Sequence, residues 1–258
     1  MRRSFVGISA ALATAIFGLA PGVGSFFTIL DGGNVGLAPY AVLASGGGGD
    51  LLLVDSNLQA GIRAINAMTN GGALDVTIDS NFSPALLPAV QVGVPSAYAF
   101  FDAGAHNLTV SPAGNPGVLE IDEEFTGENG TLGTWFLSGD PGALTASFSQ
   151  DDGRIVAGEA KVAIYNGVTS VPSVDVFVVA PGTDLNTIAP SAQPPSGTTT
   201  PILVGIGDFE ITVRQLATTA VLAGPLPVTI GVERSYGILL TDSVGGATVD
   251  ITLLDAFN

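Results

Sequence analysis

The chain has 258 residues, of which only 12% are charged, and its 23 acidic and 7 basic residues give a formal net charge of −16 at pH 7. So few scattered basic residues exclude a nucleic-acid backbone as a partner and disfavour an anionic membrane surface. The chain has no cysteine, so disulfides, thiolate metal sites and cysteine nucleophiles are ruled out. A disulfide-free exported protein is typical of bacteria and archaea, and we expect a prokaryotic source.

The first twenty residues have the pattern of a secretory signal. Arg2 and Arg3 precede an apolar stretch that ends in small residues before Pro21. The apolar stretch is shorter than the roughly 20 residues that a membrane-spanning helix needs, which favours a signal over a membrane anchor. We therefore predict a signal peptide at residues 1–20 and a protein that is secreted or held at the cell envelope.

Residues 21–58 are predicted to form an apolar, β-prone tail with a flexible Gly-rich hinge at Gly46–Gly49. Between residues 21 and 45 the one charged residue is Asp31. A long signal region is one interpretation of this stretch. The other is a strand that adds to a neighbouring subunit, for which the candidate residues are Phe26, Phe27, Ile29, Leu30, Tyr40, Val42 and Leu43.

The second half of the chain repeats the first. Ile-Arg-Ala-Ile-Asn-Ala at residues 62–67 recurs as Val-Ala-Ile-Tyr-Asn-Gly at residues 162–167, and Leu-Asp-Val at 74–76 recurs as Val-Asp-Val at 174–176. A period near one hundred residues is too long for a solenoid unit and indicates a duplicated domain. We place the first repeat at residues 59–154 and the second at residues 155–258.

Each repeat contains seven short apolar or alternating segments separated by Gly, Pro and Asn turns. The predicted strands of the first repeat are residues 61–67, 73–79, 96–101, 106–111, 117–121, 131–138 and 144–149. Those of the second are residues 161–166, 173–179, 201–205, 210–214, 227–232, 235–241 and 247–254. The predicted fold class is all-β, with two tandem immunoglobulin-like antiparallel β-sandwiches after an N-terminal signal and tail segment.

The repeated motif resembles domain of unknown function family 4397. The resemblance rests on Ile62-Arg-Ala-Ile-Asn-Ala67, the small-residue turn after it, the Leu-Asp-Val strand and the Ala-Gly-x-x-x-Leu-Thr-Val strand that ends at Val110. It covers roughly residues 60–258, although the first turn lacks a proline and the second copy has Tyr165 and Gly167 inside the motif. The resemblance implies immunoglobulin-like domains of exported prokaryotic proteins, and it implies no chemistry.

Two polar residues recur at matching positions of the repeats: Asn66 matches Asn166, and Asp75 matches Asp175. An Asn at a strand end commonly bonds turn backbone, and an Asp accepts N–H groups that a turn leaves unpaired. We interpret both pairs as turn-stabilising residues. A shared ligand site is the alternative.

The densest acidic cluster is a candidate calcium site, because Ca²⁺ prefers carboxylate and carbonyl oxygens. Alternate residues of a strand share one face, and a turn at residues 127–130 would fold the last carboxylate back toward the others. The spacing is not that of an EF-hand loop, and a solvated acidic segment is the alternative. No other cofactor is predicted, and the candidate ligands are Glu120, Asp122, Glu124 and Glu128.

The sequence contains no recognisable active site. His106 is the only histidine, so a two-histidine metal site is excluded and a Ser-His-Asp system would have to use it. Neither a Gly-x-Ser-x-Gly elbow nor a nucleotide-binding loop is present. We interpret His106 as an ordinary surface residue and Trp135 as part of the core, and we predict that the protein is not an enzyme.

The sequence therefore predicts a non-enzymatic structural or interaction protein of the cell envelope or extracellular space. Our first hypothesis is self-assembly into a fibre or surface layer through strand donation by the tail, with copies of itself or other cell-surface components as partners. The alternative is a monomeric binding module for a glycan, a cell-wall polymer or a partner protein. A hydrolase that uses His106 or the carboxylates at residues 120–128 is the least favoured hypothesis.

Overall fold

The structure is a computed structural model that describes residues 26–31, 40–46, 49–53, 58–151, 156–231, 235–243 and 248–257, with side chains from residue 58 to residue 254. The predicted signal peptide and the predicted boundary between the repeats lie outside these residues. All regular elements in the described ranges are strands, so the all-β prediction is confirmed. In the same ranges there is no helix with the length and hydropathy needed to cross a membrane.

The described residues form eighteen strands: β1 (Phe26–Asp31), β2 (Tyr40–Gly46), β3 (Gly49–Leu53), β4 (Ala60–Met68), β5 (Leu74–Ile78), β6 (Leu87–Val90), β7 (Ala99–Phe101), β8 (Gly104–Pro112), β9 (Ile121–Gly127), β10 (Leu132–Gly139), β11 (Thr145–Gln150), β12 (Glu159–Gly167), β13 (Val174–Val179), β14 (Thr198–Gly205), β15 (Gly207–Gln215), β16 (Val221–Ile230), β17 (Ser235–Asp242) and β18 (Val249–Phe257).

Strands β4 to β11 form the first sandwich. One sheet has the order β11-β10-β4-β7 and the other has the order β6-β5-β8-β9. Alternating apolar side chains of the two sheets meet in a single buried core, because each strand turns every second residue inward. Trp135 belongs to this core and is 4% exposed, as predicted.

Strands β12 to β18 form the second sandwich, with sheets of order β14-β12-β17-β18 and β13-β15-β16. The strand order follows that of the first sandwich, without an equivalent of β6. In each sandwich one pair is parallel: β4 pairs with β10, and β12 pairs with β17. The predicted antiparallel sandwich therefore contains a parallel pair, because a strand late in each repeat returns beside the first one.

Two details of the strand prediction are wrong. The predicted strand at residues 117–121 lies mostly in a turn, and the corresponding strand, β9, begins only at Ile121. Strand β6 was not predicted, because it is only four residues long and contains Pro88, a residue that cannot donate to a sheet ladder. The other thirteen predicted strands overlap strands of the structure.

The two sandwiches pack against each other through the sheets that contain β4 and β12. The rings of Phe136 and Tyr165 lie 5.5 Å apart between their centroids. These residues belong to a separate buried cluster drawn from both halves: Ile65, Ala67, Phe136, Tyr165, Leu239 and Leu254. Strand β4 is buried along its whole length because one face meets its own core and the other meets the second sandwich.

The two sandwiches have the same orientation, with the equivalent strands β4 and β12 ending on the same side of the molecule. The C-terminal ends of β4 and β12 meet closely, and a Cβ built on Gly167 would lie 2.7 Å from the Cβ of Ala67. Nearby, Gly197 donates to the carbonyl of Asn166 at 2.7 Å, and a Cβ built on it would lie 3.4 Å from Oγ of Ser138 at the end of β10. Equivalent turns of the two repeats therefore lie at the same end of the molecule.

The tail forms a separate three-stranded antiparallel sheet of order β1-β2-β3. Its β1 and β2 contain the seven predicted strand-donor residues, and they pair from Phe26 with Ser45 to Asp31 with Tyr40. Gly46 pairs with Gly49, so the ends of the predicted flexible hinge belong to two paired strands. Among the described residues, β1 and β3 pair only with β2.

Candidate functional site

Asp75 and Asp175 hold turns together at equivalent places. The two oxygens of Asp75 accept the backbone N–H groups of Ala89 and Gly114, each at 2.8 Å. Those of Asp175 accept the side-chain amide of Gln193 at 2.7 Å and the N–H of Ala217 at 2.9 Å. Asp75 thus joins the turn before β9 to strand β6, and Asp175 joins the turn before β16 to the loop that contains Gln193, as the turn-stabilising interpretation predicts.

Asn66 and Asn166 also form hydrogen bonds with backbone groups, at the end of the sandwiches where β4 and β12 finish. The Asn66 amide donates to the carbonyls of Gly72 and Val90, both at 3.0 Å, and its oxygen accepts the N–H of Met68 at 3.0 Å. Asn166 repeats the pattern with the carbonyl of Pro194 at 2.9 Å and the N–H of Val168 at 3.1 Å. Both side chains are fully buried, so these bonds leave no open amide for a ligand.

The loops fixed in this way present exposed aliphatic side chains. The turn between β8 and β9 contributes two of them, the turn from β15 into β16 contributes two, and the loop after β6 contributes two. We call this surface the apolar end, and it consists of Val92 (40% exposed), Val94 (56%), Val118 (45%), Leu119 (52%), Leu216 (38%) and Val221 (53%). Topology places all six at the end where β4 and β12 finish, since β8 and β15 run toward that end.

Charge is distributed unequally between the two ends of the sandwiches. At the apolar end Asp140 is exposed, whereas Glu120 and Asp242 are half-buried and accept the backbone N–H groups of Gly142 and Thr169, each at 2.7 Å. The opposite end presents several exposed carboxylates in its loops: Asp79, Asp102, Glu128 and Asp184. The apolar end therefore presents fewer exposed carboxylates than the opposite end of this strongly acidic molecule.

The four candidate calcium ligands do not converge. Glu120 lies in the turn before β9 and bonds Gly142, whereas Asp122 accepts the side-chain amide of Asn107 at 2.7 Å. Glu124 and Glu128 are exposed. In the part of the chain that the structure describes, no three His, Cys, Asp or Glu residues form a group that would hold a metal ion. The calcium site stays a prediction from sequence without geometric support.

His106 is largely enclosed, which corrects its interpretation as an ordinary surface residue. Its side chain is 15% exposed. Nδ1 lies 2.8 Å from Oδ2 of Asp79, and Nε2 lies 2.8 Å from the carbonyl oxygen of Asp102. Both partners are acceptors, so both bonds form fully only when the ring is protonated. The hydrogen bond with Asp79 accordingly raises the pKa of His106 and lowers the pKa of Asp79.

This arrangement gives His106 a structural role rather than that of a general base. In a Ser-His-Asp system one ring nitrogen faces the carboxylate and the other faces the nucleophile. Here the second nitrogen faces a backbone carbonyl. The ring also packs edge-on against Phe101, with centroids 5.1 Å apart. His106 therefore joins the end of β5 to the turn between β7 and β8.

A small pocket lies at the end of the first sandwich where β4 begins. Its volume is about 110 Å³, and its walls include the rings of Phe101, Phe125 and Phe148. Sites for small-molecule ligands are usually roughly 300–1,000 Å³. This pocket has room for a single small side chain and is too small for a sugar or a nucleotide.

A buried polar cluster forms around Asp151, the residue that follows the last strand of the first sandwich. Thr134 accepts a hydrogen bond from Nε of Arg63 at 2.8 Å and donates to Asp151 at 2.8 Å, and Tyr98 donates to the same carboxylate at 2.6 Å. Burial raises the pKa of Asp151, against the opposing effect of the Arg63 charge. Burial also raises the pKa of Tyr165 from the second sandwich, which the Arg63 charge likewise opposes. The cluster therefore lies next to the contact between the sandwiches.

Comparison with known proteins confirms the family resemblance of this tandem all-β chain. The model of the domain of unknown function DUF4397 matches residues 60–177. The match covers the first sandwich and the first two strands of the second, a shorter extent than the resemblance drawn from the sequence. No curated protein matches the chain.

One solved structure with some similarity is the crystal structure of a candidate cell adhesion protein from Bacteroides ovatus. It shares 12% sequence identity with this chain, and the alignment covers 77% of this chain and 98% of that one. The TM-score is 0.22. Such a low score supports no inference about the function of this chain.

Proposed function

We propose that this protein is a non-catalytic structural subunit that acts outside the cell and assembles with copies of itself through its tail. The observation that carries the proposal is the separate tail sheet. Its outer strands β1 and β3 pair only with β2 among the described residues, which leaves two open edges. Open sheet edges pair readily with strands of another chain unless they are covered.

The composition of the tail supports this role. The tail sheet at residues 26–53 carries two charged residues, Asp31 and Asp50, in a chain whose net charge is −16. Exposing a nearly neutral, apolar sheet to water is unfavourable. Such a sheet also approaches an acidic surface with little like-charge repulsion. The sandwiches themselves offer a small pocket and a histidine bonded at both nitrogens, which favours a structural role over catalysis.

The test is electron microscopy with light scattering on the intact protein and on a variant whose residues 21–53 are replaced by a Gly-Ser linker of equal length. We expect ordered filaments or layers from the intact protein and monodisperse particles from the variant. Thermal unfolding of both proteins checks that the sandwiches stay folded. Assemblies that survive the replacement would contradict strand donation by the tail.

A binding module is the second candidate, and the rigid apolar end is the observation that favours it. Loops held by hydrogen bonds to Asp75 and Asp175 and carrying exposed aliphatic groups are typical of interaction surfaces. This candidate predicts a monomer in both preparations and a saturable partner on the same surface. A glycan is a poor fit to it, because none of its six residues is aromatic.

A further inference from the structure

We propose that the apolar end of one subunit is the surface that receives the tail sheet of a second copy, so that subunits join head to tail. This inference rests on the proposed function and names the partner surface that tail-mediated assembly requires. It commits to one occupant, the segment Phe26–Leu53 of another copy of the chain.

The apolar end is built as a fixed surface. Asp75 joins strand β6 to the turn after β8 by bonding the N–H groups of Ala89 and Gly114, and Asp175 fixes the turn of the second sandwich through Ala217. Both alanines have positive φ angles, 50° for Ala89 and 56° for Ala217, a conformation that L-residues seldom adopt. Such backbone strain persists only where the surrounding structure holds it, so both positions are fixed by their hydrogen bonds to the carboxylates.

Charge selects the occupant. Two copies of a chain with a net charge of −16 repel each other unless the surfaces that meet are nearly neutral. The tail sheet carries two charged residues, Asp31 and Asp50. At the apolar end Asp140 is exposed, whereas the carboxylates of Glu120 and Asp242 are half-buried and hydrogen-bonded to loops. Contact between the tail and the opposite end would bury exposed carboxylates such as Asp79 and Asp102 against apolar residues, which costs free energy.

The position of the tail gives the assembly its direction. The tail enters the first sandwich at the end away from the apolar end, where Asn129 donates to the carbonyl of Leu58 at 2.8 Å and Gly130 donates to that of Gln59 at 3.1 Å. The tail is therefore joined to the subunit at the end opposite the acceptor surface. A contact between two different surfaces does not close on itself by a two-fold axis, so it generates a ring or an open filament.

Cysteine cross-linking tests the contact, since the chain has no native cysteine. Subunits with Phe27→Cys are mixed with subunits with Leu119→Cys under mild oxidation, and the mixed dimer is counted by mass spectrometry. The matched control is Ile206→Cys, which is 50% exposed, against 52% for Leu119, and lies at the opposite end between β14 and β15. We expect at least about tenfold more mixed dimer with Leu119→Cys. Equal or greater yield with Ile206→Cys would overturn the proposal.

Charge substitution separates this inference from the proposed function. Leu119→Asp with Val221→Asp should raise the concentration needed for assembly about tenfold or more, because a carboxylate would be buried in an apolar contact. Ile206→Asp should leave it unchanged, and all variants should keep the melting temperature of the intact protein. If assembly depends on the tail but the variant with Leu119→Asp and Val221→Asp assembles as readily as the Ile206→Asp control, the acceptor surface is elsewhere and the proposed function stands. If the intact chain does not assemble, both proposals fail.

Discussion

Asp75 and Asp175 occupy the same position in the two sandwiches, and each accepts the backbone N–H found two residues beyond the end of a strand. The donor is Gly114 at 2.8 Å in the first sandwich and Ala217 at 2.9 Å in the second. The duplication has thus kept a carboxylate that fixes a surface turn, together with exposed aliphatic residues on that turn.

Removing either carboxylate should loosen its turn and destabilise the fold. Asp175 is 5% exposed, and its alanine variant would leave a backbone N–H without its partner. We expect Asp175→Ala to lower the free energy of unfolding by about 2–4 kcal/mol, since each bond to a charged group contributes about 1.5–3 kcal/mol. Urea unfolding measures the loss. The exposed Asp140→Ala is the control and should change stability by less than about 0.5 kcal/mol.

Gly114 and Ala217 occupy equivalent turn positions, and we expect stability to fall when a methyl group is added at Gly114 but not when one is removed at Ala217. Gly114 has a φ of 75°, and a Cβ there would meet no atom within 4 Å, so Gly114→Ala adds backbone strain without a clash. We expect it to cost about 1 kcal/mol. Ala217 already has a φ of 56°, so Ala217→Gly should not destabilise the protein. Gly72→Ala is the control, since its Cβ is equally free and its φ is not positive; a loss there equal to that of Gly114→Ala would contradict the strain argument.

Disruption of the buried polar cluster should destabilise the first sandwich. The side chains of Arg63 and Asp151 are 4% and 3% exposed, so Asp151→Ala leaves a buried guanidinium without its carboxylate. We expect a loss of about 3–5 kcal/mol. Thr134→Val keeps the shape but removes the bridging hydroxyl, and it should cost less, about 1–2 kcal/mol. Thermal and urea unfolding measure both variants, and a loss under about 0.5 kcal/mol for Asp151→Ala would show that the cluster contributes little.

His106 predicts a pH dependence with a definite sign. Its pKa is raised above 6.5 in the folded state, so the folded protein holds the proton more tightly than the unfolded chain does. The stabilisation is therefore fully present below about pH 6.5 and is lost as the pH rises through the folded pKa. We expect the intact protein to lose stability across this window and His106→Gln to lose less, when thermal unfolding is followed at several pH values. An identical pH profile for both proteins would contradict the role of His106.

The features that the sequence predicts well depend on neighbouring residues. Strands β4 and β12 are recognisable because their apolar and turn residues recur in the same order, and Asn66 and Asp75 are recognisable because each has a counterpart in the second repeat. The alternation that places Trp135 in the core is also local. Each of these signals lies within a few residues of the element that it predicts.

The features that the sequence did not reveal depend on contacts between distant residues. Aliphatic residues favour strands, so the sequence predicts a strand at Val118 and Leu119, but both lie exposed in a turn that Asp75 holds through Gly114. Asp79, which forms a hydrogen bond with His106, lies 27 positions away from it in the sequence. Such pairings follow from topology, and the apolar end exists only because both repeats have the same orientation.

Sedimentation velocity over a range of concentrations tests self-assembly through the tail most directly. The intact chain should show larger species as the concentration rises, and more so at high ionic strength, because salt screens the repulsion between subunits with a net charge of −16. The chain whose residues 21–53 are replaced by a linker should remain monomeric throughout. A single monomeric species of the intact chain at every concentration and salt would contradict assembly and favour a monomeric binding protein.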